Sequence, residues 1–280
     1  AAYIMKALQG HHLRSVGTVR NYEQGLTRVA EWTQRERLPG GLRAMTPELA
    51  IRYLEQRGQE VGQKALDMER QAMQAMMQHV TGQLAHGARI PVIKSEQAQV
   101  LTARAYTAPQ VALIAAAQTP RHGLATELAY AAGLRAHELL TLRRGEERAA
   151  DPRPALASKW QGRNGVIYTV HGKGGLVREV LLPHALAERL EAVRLDAPLA
   201  ITDRGIHYQS HYDIGGGQRW SNSVSAASER ALGWSTGAHG LRHSYAQERM
   251  AELQASLSRD AALTTVSQEM GHFRPEITET

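Results

Sequence analysis

Residues 237–246 read GAHGLRHSYA, and they carry more of the chemistry than any other stretch of this chain. His239, Arg242 and His243 fall within five positions. A guanidinium keeps its charge at any working pH, and its planar fork donates paired hydrogen bonds to phosphate or carboxylate oxygens. An imidazole can give or take a proton beside it. Taken singly, His239 reads as a capping or core histidine, so its meaning depends on what the rest of the chain brings to the same chemistry.

Three further segments carry residues able to hold a phosphodiester. Arg135 stands in AAGLRAHELLTLR, Lys173 in HGKGGLVREVLLP and His272 in MGHFRPE. Alone, Arg135 would be a surface or structural arginine and Lys173 a solvated turn residue. Around Lys173 the residues Val166, Tyr168 and Val170 alternate, residues 172–175 supply a glycine-rich turn, and Val177–Leu182 form a second β-rich run. That pattern predicts a hairpin with Lys173 in or beside its turn.

In this order the four segments resemble the tyrosine recombinases, the family of phage integrases and Xer-like site-specific recombinases. The family's G-L-R-x-x-E-L run stands here as Gly133-Leu134-Arg135-Ala136-His137-Glu138-Leu139. Its hairpin lysine matches Gly172-Lys173-Gly174, followed by Arg178 and the apolar residues 180–182. Its H-x-L-R-H run is His239-Gly240-Leu241-Arg242-His243, and its L-G-H turn is Met270-Gly271-His272 with Met in place of Leu. The likeness covers about residues 107–280, with a looser one in the helical part before it.

The resemblance implies roles for these residues. Arg135 and Arg242 would bind the non-bridging oxygens, Lys173 would protonate the 5′-oxygen leaving group, His239 would assist proton movement at the nucleophile, and His272 would donate to a non-bridging oxygen. Glu138, three residues after Arg135, is read as sharing its helix face and holding an arginine or histidine in place, with His243 also supporting. The nucleophilic tyrosine is expected nine residues after His272, at position 281, immediately after Thr280. The 280 residues are therefore expected to bind DNA and hold the phosphate without cutting it. Tyr245 is expected to pack, and Tyr208 and Tyr212 fit no family position.

The resemblance also implies a mainly α fold. An all-helical, SAM-like core-binding domain would precede a mixed, mostly helical catalytic domain with a small β-sheet, the two closing around duplex DNA as a clamp. Recombination by this family uses four protomers on two DNA sites, in a prokaryotic cytoplasm or from a phage or mobile element. No cofactor is expected, because transesterification conserves the energy of the broken bond in the new link. No metal is expected either, since His239, His243 and His272 lack HExxH or carboxylate-rich ligand spacing. Two other readings share the motifs: a non-cleaving, sequence-specific DNA-binding protein on the same fold, and a type IB topoisomerase. Five phosphate-site residues argue against the first, and the two-domain layout against the second.

Composition agrees with a polyanionic partner. The chain has 280 residues, a net charge of +6 and no cysteine, which removes disulfides, thiolate catalysis and cysteine zinc sites. Its sequence pI is about 9.7. Lys and Arg outnumber Asp and Glu by 13 to 8 in residues 1–94 but only by 20 to 19 in residues 95–280, so the positive charge lies mainly in the first third. No apolar run approaches the ~20 residues of a membrane span, and the beginning of the chain lacks signal-peptide order, so a soluble, intracellular protein is expected.

Periodicity sets the expected boundaries: a helical domain over 1–88, a linker over 89–106 and the catalytic domain over 107–280. Val19, Tyr22, Leu26, Val29 and Trp32 recur at helical spacing behind a cap at Thr18 or Ser15. Thr46-Pro47 opens a second helix, and residues 62–84 suit one or two longer ones, with Met68, Met73, Met76 and Met77 as core filling. Thr107 and Gln110 have capping-box spacing, and a helix is expected to run on from residue 123 to about Leu142. From Pro183 onward the pattern reads as helices joined by polar loops. DIGGGQRW is read as a flexible loop, because it lacks the Lys-Ser/Thr of a P-loop.

Overall fold

The computed structural model describes residues 1–10, 12–13, 16–98 and 102–272, with Val16 and Lys173 described by backbone alone. The chain is mainly α-helical and divides into two compact units, Ala1–Thr102 and Ala103–Thr280.

The first unit holds α1 (Ala2–Leu8), α2 (Val16–Arg35), α3 (Pro47–Gly58) and α4 (Gln63–Met76), with a π-helical turn at Met77–Thr81. Thr46 caps α3 by accepting the Leu49 N–H at 3.4 Å, with Pro47 at the first position. Thr18 caps nothing, since α2 already begins at Val16; the other candidate, Ser15, lies outside the described residues. Leu26, Val29 and Trp32 of α2 meet Tyr53 and Leu54 of α3 and Met73 and Met76 of α4 in one core, joined by Met77. Three of the four methionines of the stripe thus fill space, as unbranched side chains do. Glu69 is buried in that core, where it accepts Tyr53 Oη at 2.7 Å and Arg57 Nε at 3.2 Å.

Residues 89–106 are anchored at both ends. Ile90 is buried in the first core, and Ser95 Oγ donates to the Val61 carbonyl at 2.6 Å. Tyr106 belongs to the second core. Residues 99–101 lie outside the described part.

The second unit begins with α5 (Ala108–Ala116) and α6 (Pro120–Ala132). Gln110 closes the start of α5 by accepting the Thr107 N–H at 2.9 Å. The helix expected to reach Leu142 stops ten residues earlier. Gly133 takes a left-handed conformation (φ +57°), and its Cα approaches the Tyr245 ring so closely that a Cβ would lie 2.9 Å from Cδ1. After this cap the chain turns through residues 134–137 into a 3₁₀ turn, Glu138–Thr141.

β1 (Arg143–Arg144), β2 (Val166–His171) and β3 (Val177–Leu182) form an antiparallel sheet in that order. The expected hairpin is β2–β3, closed at its tip by the Gly172 N–H on the Leu176 carbonyl, with Lys173–Gly175 as a 3₁₀ turn. Tyr168 and Val170 of β2 and Val180 and Leu182 of β3 alternate into the core. α7 (His184–Glu191) follows.

Residues 194–212, expected to be helical or loop, are instead a second antiparallel hairpin, β4 (Arg194–Asp203) and β5 (Ile206–Tyr212). Its turn is Arg204-Gly205, both at positive φ (50° and 77°), the geometry that a tight two-residue hairpin needs. Arg-Gly is a weaker turn signal than Asn-Gly, and most of β4 is exposed, so it lacks the in–out alternation that announces a strand.

α8 (Gly217–Leu232), α9 (His239–Gln254) and α10 (Arg259–Glu269) complete the unit. The glycine run before and within α8 is packed rather than flexible: a Cβ on Gly216 would meet Leu140 Cδ2 at 2.4 Å. Trp220 and Val224 of α8 join Leu128 of α6 and Leu241 of α9 in the main core. A smaller cluster, Tyr245, Leu253, Ala262 and Val266, welds α9 to α10.

Candidate active site

A buried carboxylate organises the site. Glu138 has no exposed surface, and its two oxygens take hydrogen bonds from two arginines and a backbone amide. Oε2 accepts the Arg135 N–H at 2.7 Å and Arg178 Nη2 at 2.8 Å; Oε1 accepts Arg135 Nη1 at 2.8 Å and Arg178 Nε at 3.2 Å. A third arginine, Arg242, brings Nη1 to 3.9 Å from Oε2. Burial alone would raise the Glu138 pKa, but the charges of Arg178, Arg242 and Arg135 hold it well below the ordinary carboxylate value.

Glu138 does not share a helix face with Arg135, as the sequence suggested. The Gly133 cap separates Arg135 from α6, and Glu138, at the start of the 3₁₀ turn, reaches back to bind both the amide and the side chain of Arg135. The spacing of three is therefore that of a turn closed by its own carboxylate.

Arg242 lies one turn into α9 and is 2% exposed. Its Nη1 donates to the Gly133 carbonyl, and its Nη2 to the Met270 carbonyl at 3.3 Å and to His272 Nε2 at 3.2 Å. One guanidinium thus ties the end of α6, α9 and the turn after α10. Its Nε is buried without a hydrogen-bond partner among the described residues. Burial lowers the Arg242 pKa to about 9, against the pull of Glu138 and aided by Arg135 and Arg178; the group stays charged at neutral pH.

Because a guanidinium only donates, His272 Nε2 accepts here, and a neutral ring carries its proton on Nδ1. Loss of solvent and the charges of Arg242, Arg135 and Arg178 bring His272 down to about 4. His239, the first residue of α9, is brought down to about 4 by desolvation, then Arg242 and His243. The rings of His239 and His243 meet edge-to-face at 5.0 Å. Gly271, at φ +70°, lets the turn carrying His272 pass against Arg178, where a Cβ would fall 2.5 Å from Cδ.

Two residues that the sequence reading did not use this way hold the arrangement. Arg178 occupies an inward position of β3, in series with Val180 and Leu182, and also donates through Nη1 to the Glu269 carbonyl at 2.7 Å. Glu269, 1% exposed at the end of α10, accepts Arg249 through both oxygens at 3.0 Å, Tyr245 Oη at 2.8 Å and the Trp160 N–H at 3.0 Å. A charge in an inward strand register or on an apolar helix stripe was the signal for each. Tyr245 packs as expected.

The structure therefore brings Arg135, Glu138, Arg242 and His272 together, with His239 opening α9 and His243 one turn further along it. The Lys173 side chain lies outside the described residues, but its backbone follows Gly172, where a Cβ would sit 3.5 Å from Glu138 Oε1. Residues 273–280 and the expected tyrosine position also lie outside them. Among the described residues, no three His, Asp or Glu side chains are grouped as metal ligands would be.

No protein-family model and no curated protein matches the chain. Solved structures do. XerH site-specific recombinase, in a post-cleavage complex with its palindromic difH substrate, aligns with 93% of this chain and 74% of its own, at a TM-score of 0.59 and 16% identity. A lambda integrase tetramer bound to a Holliday junction aligns over 99% and 74%, at 0.59 and 17%. Tn1549 transposon integrase in complex with a circular intermediate DNA aligns over 99% and 92%, at 0.52 and 12%.

The chain has the tyrosine recombinase fold. On this fold the motifs that carried the resemblance fall on distinct elements: G-L-R after the cap of α6, G-K-G at the β2–β3 tip, H-x-L-R-H opening α9, and M-G-H in the turn after α10. No described helix is long and apolar enough to cross a membrane.

Proposed function

We propose that this chain is the DNA-cutting and rejoining subunit of a site-specific recombinase or integrase. The observation that carries the reading is the gathering of Arg135 and Arg242 around one buried carboxylate, with His272 bonded to Arg242 and His239 one turn from Arg242 on α9. Glu138 neutralises one unit of charge in a cluster of three arginines, leaving net positive charge for an anion. Duplex DNA supplies that anion as a phosphodiester.

In this reading Arg135 and Arg242 hold the two non-bridging oxygens as charge develops on them, which is where phosphoryl transfer needs its stabilisation. A tyrosine at position 281 attacks phosphorus and gives up its proton with the help of His239. The P–O5′ bond breaks, and Lys173 returns a proton to the leaving 5′-oxygen. One phosphodiester is exchanged for one phosphotyrosyl ester, so the reverse attack by a 5′-hydroxyl from a second strand rejoins DNA without ATP. His272, accepting from Arg242 in the structure, would donate to the phosphate from Nδ1 or after taking up a proton. Four protomers on two duplex sites would carry out a full exchange.

Sequence-specific capture tests the reading. The chain carrying a tyrosine at position 281 is incubated with a library of nicked duplexes of random sequence, and the covalently attached DNA is sequenced. Recovery of one enriched site that also supports exchange between two duplexes is expected. Capture without sequence preference would favour a relaxing topoisomerase, and binding without capture a non-cleaving DNA-binding protein.

A further inference from the structure

The three-stranded sheet turns Tyr168 and Val170 into the core, which leaves Thr169 and His171 on its other face. Arg143 of β1 stands directly across from Thr169, so it projects from that outer face too. Arg148 arrives from the turn after β1: its Nε donates to Thr169 Oγ1 at 3.0 Å, and its Nη2 to the carbonyl oxygens of Thr141 and Thr169, each at 2.6 Å. His211 arrives from β5, which packs against the Glu138–Thr141 turn.

Two guanidiniums and two imidazoles therefore meet with little acid among them. Asp151 faces His171, but its carboxylate already accepts the Val177 N–H at 2.9 Å. Glu147 faces His211, but it is bound to Arg194, itself a cation facing that ring. The Arg143 side chain makes no hydrogen bond or ion pair with a described residue, its backbone being paired with β2. The Nε2 of His211 is buried and has no hydrogen-bond partner among them. Buried polar atoms are nearly always paired, and here Asp151 and Glu147 are the acids that face a group holding Arg143, Arg148 and Arg194, so cationic charge is in excess and a place for an anion is left. Desolvation, then Arg148 and Arg143, hold His171 below its ordinary pKa, and desolvation, then Arg143, do the same to His211.

We propose that Arg143, Arg148, His171 and His211 form a second anion site that takes a backbone phosphate of the bound DNA, separate from the Arg135–Arg242 cluster. The identity of the anion rests on the DNA reading above; the anion chemistry does not. One 3₁₀ turn links the two sites: Thr141 Oγ1 accepts the His171 N–H at 3.0 Å and donates to the Glu138 carbonyl at 2.9 Å. A phosphate held at the outer site would fix the register of the strand at the inner one, as backbone contacts do.

The test follows the imidazole signals of His171 and His211 by nuclear magnetic resonance at pH 6.5, assigned with His171→Gln, while inorganic phosphate or a short duplex is added. Wild type and Arg143→Gln are compared. Arg143 has no partner to lose, so the variant keeps the fold, and its melting temperature in phosphate-free buffer is unchanged or raised. Both rings are expected to respond to phosphate and duplex in wild type and much less in the variant. Arg143→Gln should also lower the slope of log affinity against log salt by about one. Rings that respond to neither probe overturn the site. Rings that respond to phosphate with an unchanged salt slope assign it to a free anion and overturn the backbone contact. A wild type whose rings respond to phosphate but which does not bind duplex sustains the anion site and removes the DNA reading instead.

Discussion

Arg178 grips the buried carboxylate of Glu138 with two hydrogen bonds, Nη2 to Oε2 at 2.8 Å and Nε to Oε1 at 3.2 Å. The pair fastens β3 to the turn that carries Arg135, and the same guanidinium reaches the last carbonyl of α10. Three segments, β3, the turn after α6 and the end of α10, are thus held together by one ion pair.

Glu138→Gln should therefore destabilise the fold by about 3–5 kcal/mol, because it leaves three arginines around a neutral amide. Urea unfolding measures this. In the double variant with Arg178→Met the two losses should be strongly non-additive, since each single change strands the other partner. Additive losses would show that the two residues act independently.

In the chain carrying a tyrosine at position 281, Arg242→Lys should leave duplex binding within a few-fold and lower strand cleavage by about two orders of magnitude or more. A lysine keeps the charge but loses the fork that contacts Gly133, Met270 and His272 together. Parallel loss of binding and cleavage, measured by gel shift and single-turnover cutting, would assign Arg242 to folding or docking.

Stability should fall on mild acidification. His239 and His272 are both brought to about 4, below the ~6.5 of an unfolded histidine, so between these values the unfolded chain binds more protons. Their contribution is fully present above pH ~6.5 and is lost progressively as pH falls toward 4. Glu138, held well below its ordinary value, is ionised in the folded chain throughout that window and adds no loss there until pH approaches the unfolded carboxylate value. Melting temperatures at pH 7.5 and 5.5 test this, and the combined His239→Gln and His272→Gln variant should show a flatter profile. An equal slope in wild type and variant would contradict it.

Gly133→Ala should cost about 1–2 kcal/mol for the left-handed backbone alone, and more because the new Cβ falls 2.9 Å from the Tyr245 ring. Thermal unfolding would show the loss, and cleavage should fall further than stability because Arg135 and the Gly133 carbonyl move with the cap. A variant as stable as wild type would mean that the turn can relax around the methyl group.

The motifs singled out Arg135, Glu138, Arg242 and His272 because each stands in a short local run, and the structure brings these four residues together. Local periodicity also foretold the capped start of α3, the buried methionines and the β2–β3 hairpin. It missed the stop at Gly133, since the apolar pattern of 123–142 continues across the cap and only the glycine's contact with Tyr245, over a hundred residues away, requires the break. It missed β4–β5 because that hairpin is largely exposed and so leaves no apolar alternation. Arg178 and Glu269 were visible as charges in inward positions, but their partners are 40 and 20 residues away, and pairing over such distances is set by tertiary structure.

The most direct measurement is the mass of the product formed when the chain with a tyrosine at position 281 meets a nicked duplex carrying its selected site, with divalent metal removed. A protein–DNA adduct is predicted, its 3′-phosphate joined to that tyrosine, and its yield should collapse in Arg242→Lys. Tight binding of the duplex with no adduct, or an adduct through any other residue, would contradict the account.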